Sequence, residues 1–193
     1  MNFEILFKFE EALAKYTGAP YAVATDGCTH AIELCLRYDR VKRTSFTAHT
    51  YISIPMLMHQ LGIRYRLTSG RWSGEYQFND TRIWDSARRL EPGMYREGQL
   101  QCLSFGHGKP LELGKCGAIL TDDVEVYDQL SMMRSDGRNL RISPWQNQLT
   151  FGQGYHYCPT LETCALGLEK LASVTPQCQT AVYPDCRDII IKD

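Results

Sequence analysis

One segment constrains this chain most. Cys102-Leu103-Ser104-Phe105-Gly106-His107-Gly108-Lys109-Pro110-Leu111 runs on to Gly114-Lys115-Cys116-Gly117-Ala118-Ile119-Leu120-Thr121. A short apolar run enters, a glycine-broken loop carries one serine and one lysine, and a second apolar run leaves. Two strands flanking so short a loop hold the Lys109 amine in a fixed place instead of letting it sweep through solvent. A loop lysine taken alone is more often a solvated charge, so its weight depends on the rest of the sequence.

Apolar periodicity organises the remainder. Phe3 to Tyr16 reads as a helix with Phe3, Leu6, Phe7 and Phe9 or Leu13 on one face, closed by Gly18-Ala19-Pro20. Tyr21 to Ala24 reads as a strand, Asp26-Gly27 as a turn, and about Thr29 to Arg37 as a helix. A strand at Thr44–Thr47 and a helix at Ser53–Leu61 follow, with Pro55 in the first turn where its missing N–H matters least. Ile63–Leu67 is the next strand, and polar Thr68–Asp80, with Gly70 and Gly74, reads as loop. Further strands are expected at Arg82–Asp85, Gln101–Ser104 and Ala118–Thr121. A helix at Val124–Arg134, a loop-rich Gly137–Gly152 and a helix from Thr160 to about Ser173 complete the pattern, which weakens after Pro176. Strands alternating with helices predict an α/β three-layer sandwich with a mostly parallel sheet.

Bulk properties narrow the function classes. The 193 residues suit one domain spanning 1–193, with enough apolar content for a core. A net charge of −1 gives no footprint for nucleic acid or a membrane surface. No run is long enough to span a bilayer, and Met1-Asn2-Phe3-Glu4 lacks the layout of a secretory signal, so a cytoplasmic location is the expectation. None of the eight cysteines forms a Cys-x-x-Cys pair, and Cys35, Cys102 and Cys164 sit inside apolar patterns. Buried free thiols are expected instead of a disulfide framework. The five histidines lack ligand spacing, so no metal site is expected.

Five segments in order, besides the Ser104–Lys109 loop, resemble the DegT/DnrJ/EryC1/StrS family of pyridoxal-phosphate (PLP) sugar aminotransferases. Phe9 to Ala19 looks like the family's opening helix, and Cys28 to Leu36 like its phosphate-binding turn and helix. Thr50 to Met56 is similar to the next helix start. Ile83-Trp84-Asp85-Ser86-Ala87-Arg88 resembles the strand end that carries the cofactor aspartate. Gly154-Tyr155-His156-Tyr157, through to Leu171, looks like the Gly-Tyr-Asn-Tyr segment and its helix, and the Ser104–Lys109 loop resembles the one bearing the Schiff-base lysine. The resemblance implies a reduced large domain of the aspartate aminotransferase-like, fold type I PLP-transferase fold.

The chemistry it implies needs an amine, a carboxylate for the pyridine nitrogen, phosphate donors and a flat group against the ring. Lys109 would be the amine and the proton shuttle. Asp85, at the C-terminal end of a strand, would be the carboxylate; its bland alternative is a loop cap. Cys28 and Thr29 open a helix whose backbone N–H groups suit an anion, although an ordinary Thr cap uses the same geometry. By family position Ser104 would contact the phosphate and Tyr51 would stack on the ring, unless Tyr51 is a half-buried core aromatic. Arg88 stands where members carry Gln or His, and would meet the cofactor's ring oxygen, a substrate anion or only solvent.

The departures are specific. Family members are about twice as long, the stretch from Gly62 to Asp85 implies a lost strand–helix unit, and the small C-terminal domain is not recognisable. Gly106-His107-Gly108 replaces a His-x-Thr-like run, Lys115 and Cys116 replace small or acidic residues, and His156 replaces Asn. The resemblance implies an aminotransferase moving an amino group from a donor such as glutamate to a keto-sugar nucleotide. It also implies a homodimer in which His156 reaches the neighbouring site, since histidine can donate the hydrogen bond of the asparagine. One competing reading is a PLP-binding partner subunit without turnover. Another is a sugar dehydratase using histidine, with His107 two residues from Lys109.

Overall fold

The computed structural model describes residues 3–190. Helix α1 (Glu4–Thr17) buries Leu6, Phe9, Leu13 and Ala14, and the left-handed Gly18 ends it. The buried face is centred on Phe9 and Leu13, while Phe3 and Phe7 are only partly covered. Strand β1 (Tyr21–Thr25) leads through Asp26-Gly27 into α2, which begins at Cys28, one residue before the expected start, and runs to Tyr38. Then come β2 (Arg43–Thr47), α3 (Ser53–Leu61) and β3 (Arg64–Thr68), followed by the short strands β4 (Tyr76–Gln77), β5 (Ile83–Asp85) and β6 (Arg89–Leu90). Strands β7 (Leu100–Ser104) and β8 (Gly117–Thr121), helices α4 (Val124–Arg134) and α5 (Leu161–Leu171), and strand β9 (Gln177–Cys178) complete the order.

Five strands form the central sheet in the order β1-β8-β7-β5-β4. Side-chain alternation sends Val23, Cys102 and Ile119 to one face, where they pack with Ile32 of α2 and Val126 and Leu130 of α4. Ala22, Ala24, Leu103, Ala118 and Leu120 go to the other, against Phe9 and Leu13 of α1 and Cys164 of α5. Gly167 lets α5 approach α1 closely, since a Cβ there would lie 2.5 Å from the Phe9 ring.

The α/β layering matches expectation, but the sheet is mixed and not mostly parallel. Only β5–β7 pairs in parallel within it, whereas β1–β8, β7–β8 and β4–β5 are antiparallel. Residues 105–116 join β7 to β8, and residues 78–82 join β4 to β5. Connections without a crossover helix produce antiparallel pairs. The parallel pair β2–β3 stands apart as a separate sheet. It is tied back through Asn79, whose N–H donates to the Ser45 carbonyl at 2.9 Å and whose carbonyl accepts from the Thr44 hydroxyl at 2.9 Å. Between β3 and β5 the chain builds only β4, inside the stretch expected to be loop, where a strand–helix unit was expected to be missing.

The segment after Pro176 is ordered as a strap. Strand β9 pairs with β6, the Gln179 N–H donates to the Arg88 carbonyl at 2.8 Å, and the Ala181 N–H donates to the Trp72 carbonyl at 3.1 Å. Farther along, the Cys186 N–H reaches the Ala48 carbonyl at 2.9 Å. All eight cysteines are free thiols, with Cys35, Cys102 and Cys164 buried.

A buried ion pair joins the layers. The Arg134 guanidinium of α4 contacts the Glu10 carboxylate of α1 and donates to the Ala24 carbonyl of β1 at 2.7 Å. Glu10 in turn accepts from the Ala24 N–H at 2.8 Å. Both side chains are essentially inaccessible, so removing either partner strands the other. Arg134→Ala is expected to lower unfolding free energy by about 3–5 kcal/mol in urea denaturation. The double replacement Glu10→Leu with Arg134→Met should recover much of that loss; a single-variant loss under about 1 kcal/mol would contradict this role.

Candidate active site

Glycine at position 117 determines how the site assembles. A Cβ on Gly117 would lie 2.5 Å from the Cys28 nitrogen, 2.7 Å from the Gly27 carbonyl carbon and 2.8 Å from the Leu103 oxygen. Its absence lets the first turn of α2 sit directly on the β7–β8 ladder. Ala31 is the first residue of that turn to donate back along the helix, to the Gly27 carbonyl at 3.0 Å. The preceding N–H groups, including those of Cys28 and Thr29, therefore face forward without intrahelical partners. The Thr29 hydroxyl pairs with the Ser53 hydroxyl at 2.7 Å, joining the starts of α2 and α3.

The turn before α2 is fixed by stacking and charge. The His30 ring lies on Tyr157, with centroids 3.8 Å apart and planes within 8°. Its Nδ1 is 2.5 Å from Asp26, and Lys115 approaches the other Asp26 oxygen at 3.2 Å. Burial works to raise the Asp26 carboxyl, but His30 and Lys115 together hold it below the ordinary range. Lys115, a departure from the family pattern, thus clamps the turn.

Asp85 ends β5 as a buried carboxylate, 4% exposed, accepting from the Ala87 N–H at 3.0 Å. Burial is the largest influence on it and pushes its pKa up, against the Ala87 N–H, the Tyr76 hydroxyl and the Lys109 and Arg88 cations. Glu75 braces the following segment by accepting from the Ser86 hydroxyl at 2.8 Å and from Arg89 at 2.7 Å, with Arg96 at 2.6 Å. Burial would raise the Glu75 carboxyl, but these partners hold it low.

Lys109 projects from the loop between β7 and β8. That loop is clasped at its base, where the Phe105 N–H meets the Cys116 carbonyl at 2.9 Å and the Leu113 N–H meets the Phe105 carbonyl at 2.8 Å. The left-handed Gly108, φ +67°, turns the chain just before the lysine. His107 pairs with Glu112 at 2.6 Å, its side chain 93% exposed at the edge of the site. The Lys109 Nζ donates to the Tyr183 hydroxyl at 3.2 Å.

One cavity of about 720 Å³ gathers Cys28, Thr29, Tyr51, Asp85, Arg88, Ser104 and Lys109. Tyr51 is 56% exposed at its edge, which removes the half-buried core reading. Burial pushes the Cys28 thiol well above its ordinary range, so Cys28 contributes its backbone and a neutral side chain. Arg88 donates to Gln179 and to the Tyr183 hydroxyl, each at 3.2 Å, while its buried Nε has no partner. His156 lies outside this cavity, exposed and paired with Asp136 at 3.1 Å.

Sequence reasoning missed Trp72, Ser53 and Tyr183. Trp72 lay in a stretch read as polar loop, and Tyr183 in the unpatterned tail; neither position carries periodicity or a motif. The cavity volume suits a cofactor-sized ligand. Forward-facing N–H groups at a helix start, an amine, a buried carboxylate and an orphaned guanidinium N–H fit a phosphorylated, ionisable aromatic aldehyde.

Comparisons with known proteins agree with this geometry. The sequence profile described as the DegT/DnrJ/EryC1/StrS aminotransferase family matches residues 4–64 and 94–181. No curated protein matches the sequence. Among solved structures, AtS13 from Actinomadura melliaura superposes with a TM-score of 0.74 at 17% identity, covering 90% of this chain and 60% of its own. The sugar aminotransferase CalS13 from Micromonospora echinospora gives 0.70 at 15% identity, covering 87% and 61%. NtdA from Bacillus subtilis, solved with bound cofactor PMP, gives 0.70 at 19% identity, covering 86% and 47%. The chain thus spans about half to three-fifths of the length of these structures.

The raised Asp85 carboxyl predicts a pH-dependent effect. The unfolded chain ionises it more easily than the folded one, so its charge destabilises the fold above the unfolded pKa of about 3.9. That penalty grows until pH passes the folded value and is constant beyond. Asp85→Asn should therefore raise Tm of the cofactor-free protein at pH 7.5, with the gain vanishing toward pH 4. Thermal unfolding across that range is the check, and a lower Tm at pH 7.5 would refute the buried-charge account.

Proposed function

The chain belongs to the DegT/DnrJ/EryC1/StrS aminotransferase family, and we propose that it is a PLP-dependent aminotransferase working through Lys109. The observation that carries this reading is the convergence of the Lys109 amine, the buried Asp85 carboxylate and the start of α2 on one cavity. PLP would supply an aldehyde carbon for the amine and a ring that takes up electron density. The N–H groups of Cys28 and Thr29, with Ser104, would hold its phosphate, and Tyr51 would lie against its ring. Asp85 would keep the ring nitrogen protonated by accepting from it. Arg88 offers its unpaired Nε to the ring oxygen or to a substrate anion. Lys109 would carry a proton to and from the substrate carbon.

The donor is an amino acid such as glutamate, and the acceptor a keto-sugar nucleotide; the likeness to the sugar aminotransferase CalS13 supports the sugar class. Residues 1–193 act as one cofactor-binding domain in the cytoplasm. Among the described residues no helix is long and apolar enough to cross a membrane. The second reading is PLP binding without turnover, as a regulatory or partner subunit.

Two experiments test these assignments. Native protein mixed with PLP should develop visible absorbance that borohydride fixes on Lys109, and Lys109→Ala should show no such adduct. Loss of the band on adding glutamate supports turnover, whereas an unchanging band supports the binding protein.

The working unit is a homodimer in which His156 completes the neighbouring site. Its exposed side chain and the exposed Trp145, Leu149 and Phe151 nearby in sequence support an interface on that loop. Mixing Lys109→Ala with His156→Ala subunits should restore part of the activity each lacks. A solution mass equal to one 22.1 kDa chain with PLP bound would rule this arrangement out.

A further inference from the structure

The family match leaves out residues 65–93 and everything after 181. Those two unmatched segments meet over the cavity. Trp72 and Arg88 come from the first, and Tyr183 from the second. The Tyr183 ring stacks near Trp72, with centroids 6.3 Å apart, and lies 5.9 Å from Tyr51. Backbone hydrogen bonds hold the strap on both sides, at Ala181 and at Cys186, and His49 Nδ1 lies 3.2 Å from the Tyr183 carbonyl. The phenol is therefore presented from a fixed position.

We propose that Tyr183 is a positioning residue for the Lys109 amine, a part taken here by the C-terminal strap. Its hydroxyl oxygen accepts from Lys109 Nζ and from Arg88 Nη2, both at 3.2 Å. Those two bonds occupy both lone pairs of the oxygen, and its own O–H remains to donate. Lysine has many rotamers to lose, and tethering one N–H aims the rest of the nitrogen at the cavity. A strap that only covered the site would require the ring but not the hydroxyl; phenylalanine would serve it equally well. The hydroxyl, shared between the amine and a second cation, is what distinguishes positioning from covering.

The inference builds on Lys109 as the working amine, yet it can be tested without PLP. In the cofactor-free full chain, reductive methylation of Lys109 by formaldehyde and cyanoborohydride is followed by mass spectrometry from pH 6 to 10. Tyr183→Phe keeps the ring and removes the hydroxyl that tethers the amine. With the tether gone, labelling of Lys109 should speed up at each pH by at least about threefold relative to the other lysines, the worth of one hydrogen bond, with a near-native Tm. A profile superimposable on the native one overturns the proposal. Should Tyr183→Phe fail to fold, 3-fluorotyrosine placed at position 183 alters the hydroxyl and leaves the packing. An unchanged labelling rate there also overturns it. Because formaldehyde replaces PLP as the probe, failure here is distinct from failure of native protein to bind PLP.

Discussion

The contact between Glu10 and Arg134 is the one on which the other parts hang. It is a charge pair taken wholly out of water, and its members also hold both backbone groups of Ala24 in β1. Its reach extends further along the chain. The Arg134 carbonyl accepts from the Tyr157 N–H at 3.0 Å, and the Tyr157 carbonyl accepts from the Asp26 N–H at 2.8 Å. Tyr157 then carries His30 on its ring, so the turn that opens α2 is braced from the buried pair outward. Burial pushes the Glu10 carboxyl up even with Arg134 beside it, a sign of how much desolvation this arrangement bears. Such a pair is weak evidence of stability for its own sake; what it provides is one fixed relation among α1, β1, α4 and the loop before α5.

The cavity is then a matter of strand ends. Asp85, Ser104 and the first turn of α2 all lie at the same end of the sheet, because β5 and β7 run parallel and β1 shares their direction with β8 reversed between them. Ligands in open α/β sheets collect at that end. Charge there comes from the buried Asp85 carboxylate, the Lys109 and Lys115 amines and the Arg88 guanidinium.

How far the sequence could be read depended on whether a residue acts through its neighbours in the chain. Ser104, Lys109 and Gly117 belong to one hairpin, and the Asp26–Thr29 turn is local, so both were legible. Asp85 was legible as a strand terminus followed by Ser86-Ala87. The mixed sheet was not foreseen, because alternating strands and helices suggest crossovers, and only the length of residues 105–116 shows that β8 returns beside β7. Trp72 and Tyr183 were out of reach for a different reason. Each is an aromatic in a polar, aperiodic stretch, and its role exists only once residues far apart in the chain meet. Lys115, read as a departure, turned out to be a clamp on Asp26, which a pattern of residue types alone does not reveal.

The two origins of the site have a consequence for its assembly in time. The hairpin bearing Ser104 and Lys109 closes over a dozen residues, whereas the contact from Lys109 to Tyr183 spans 74 positions. Loop-closure entropy and contact order place the first among early events and the second among late ones. During synthesis the strap is also the last of these parts to leave the ribosome. The chain therefore passes through a stage in which the loop bearing Lys109 is formed while its amine is still untethered.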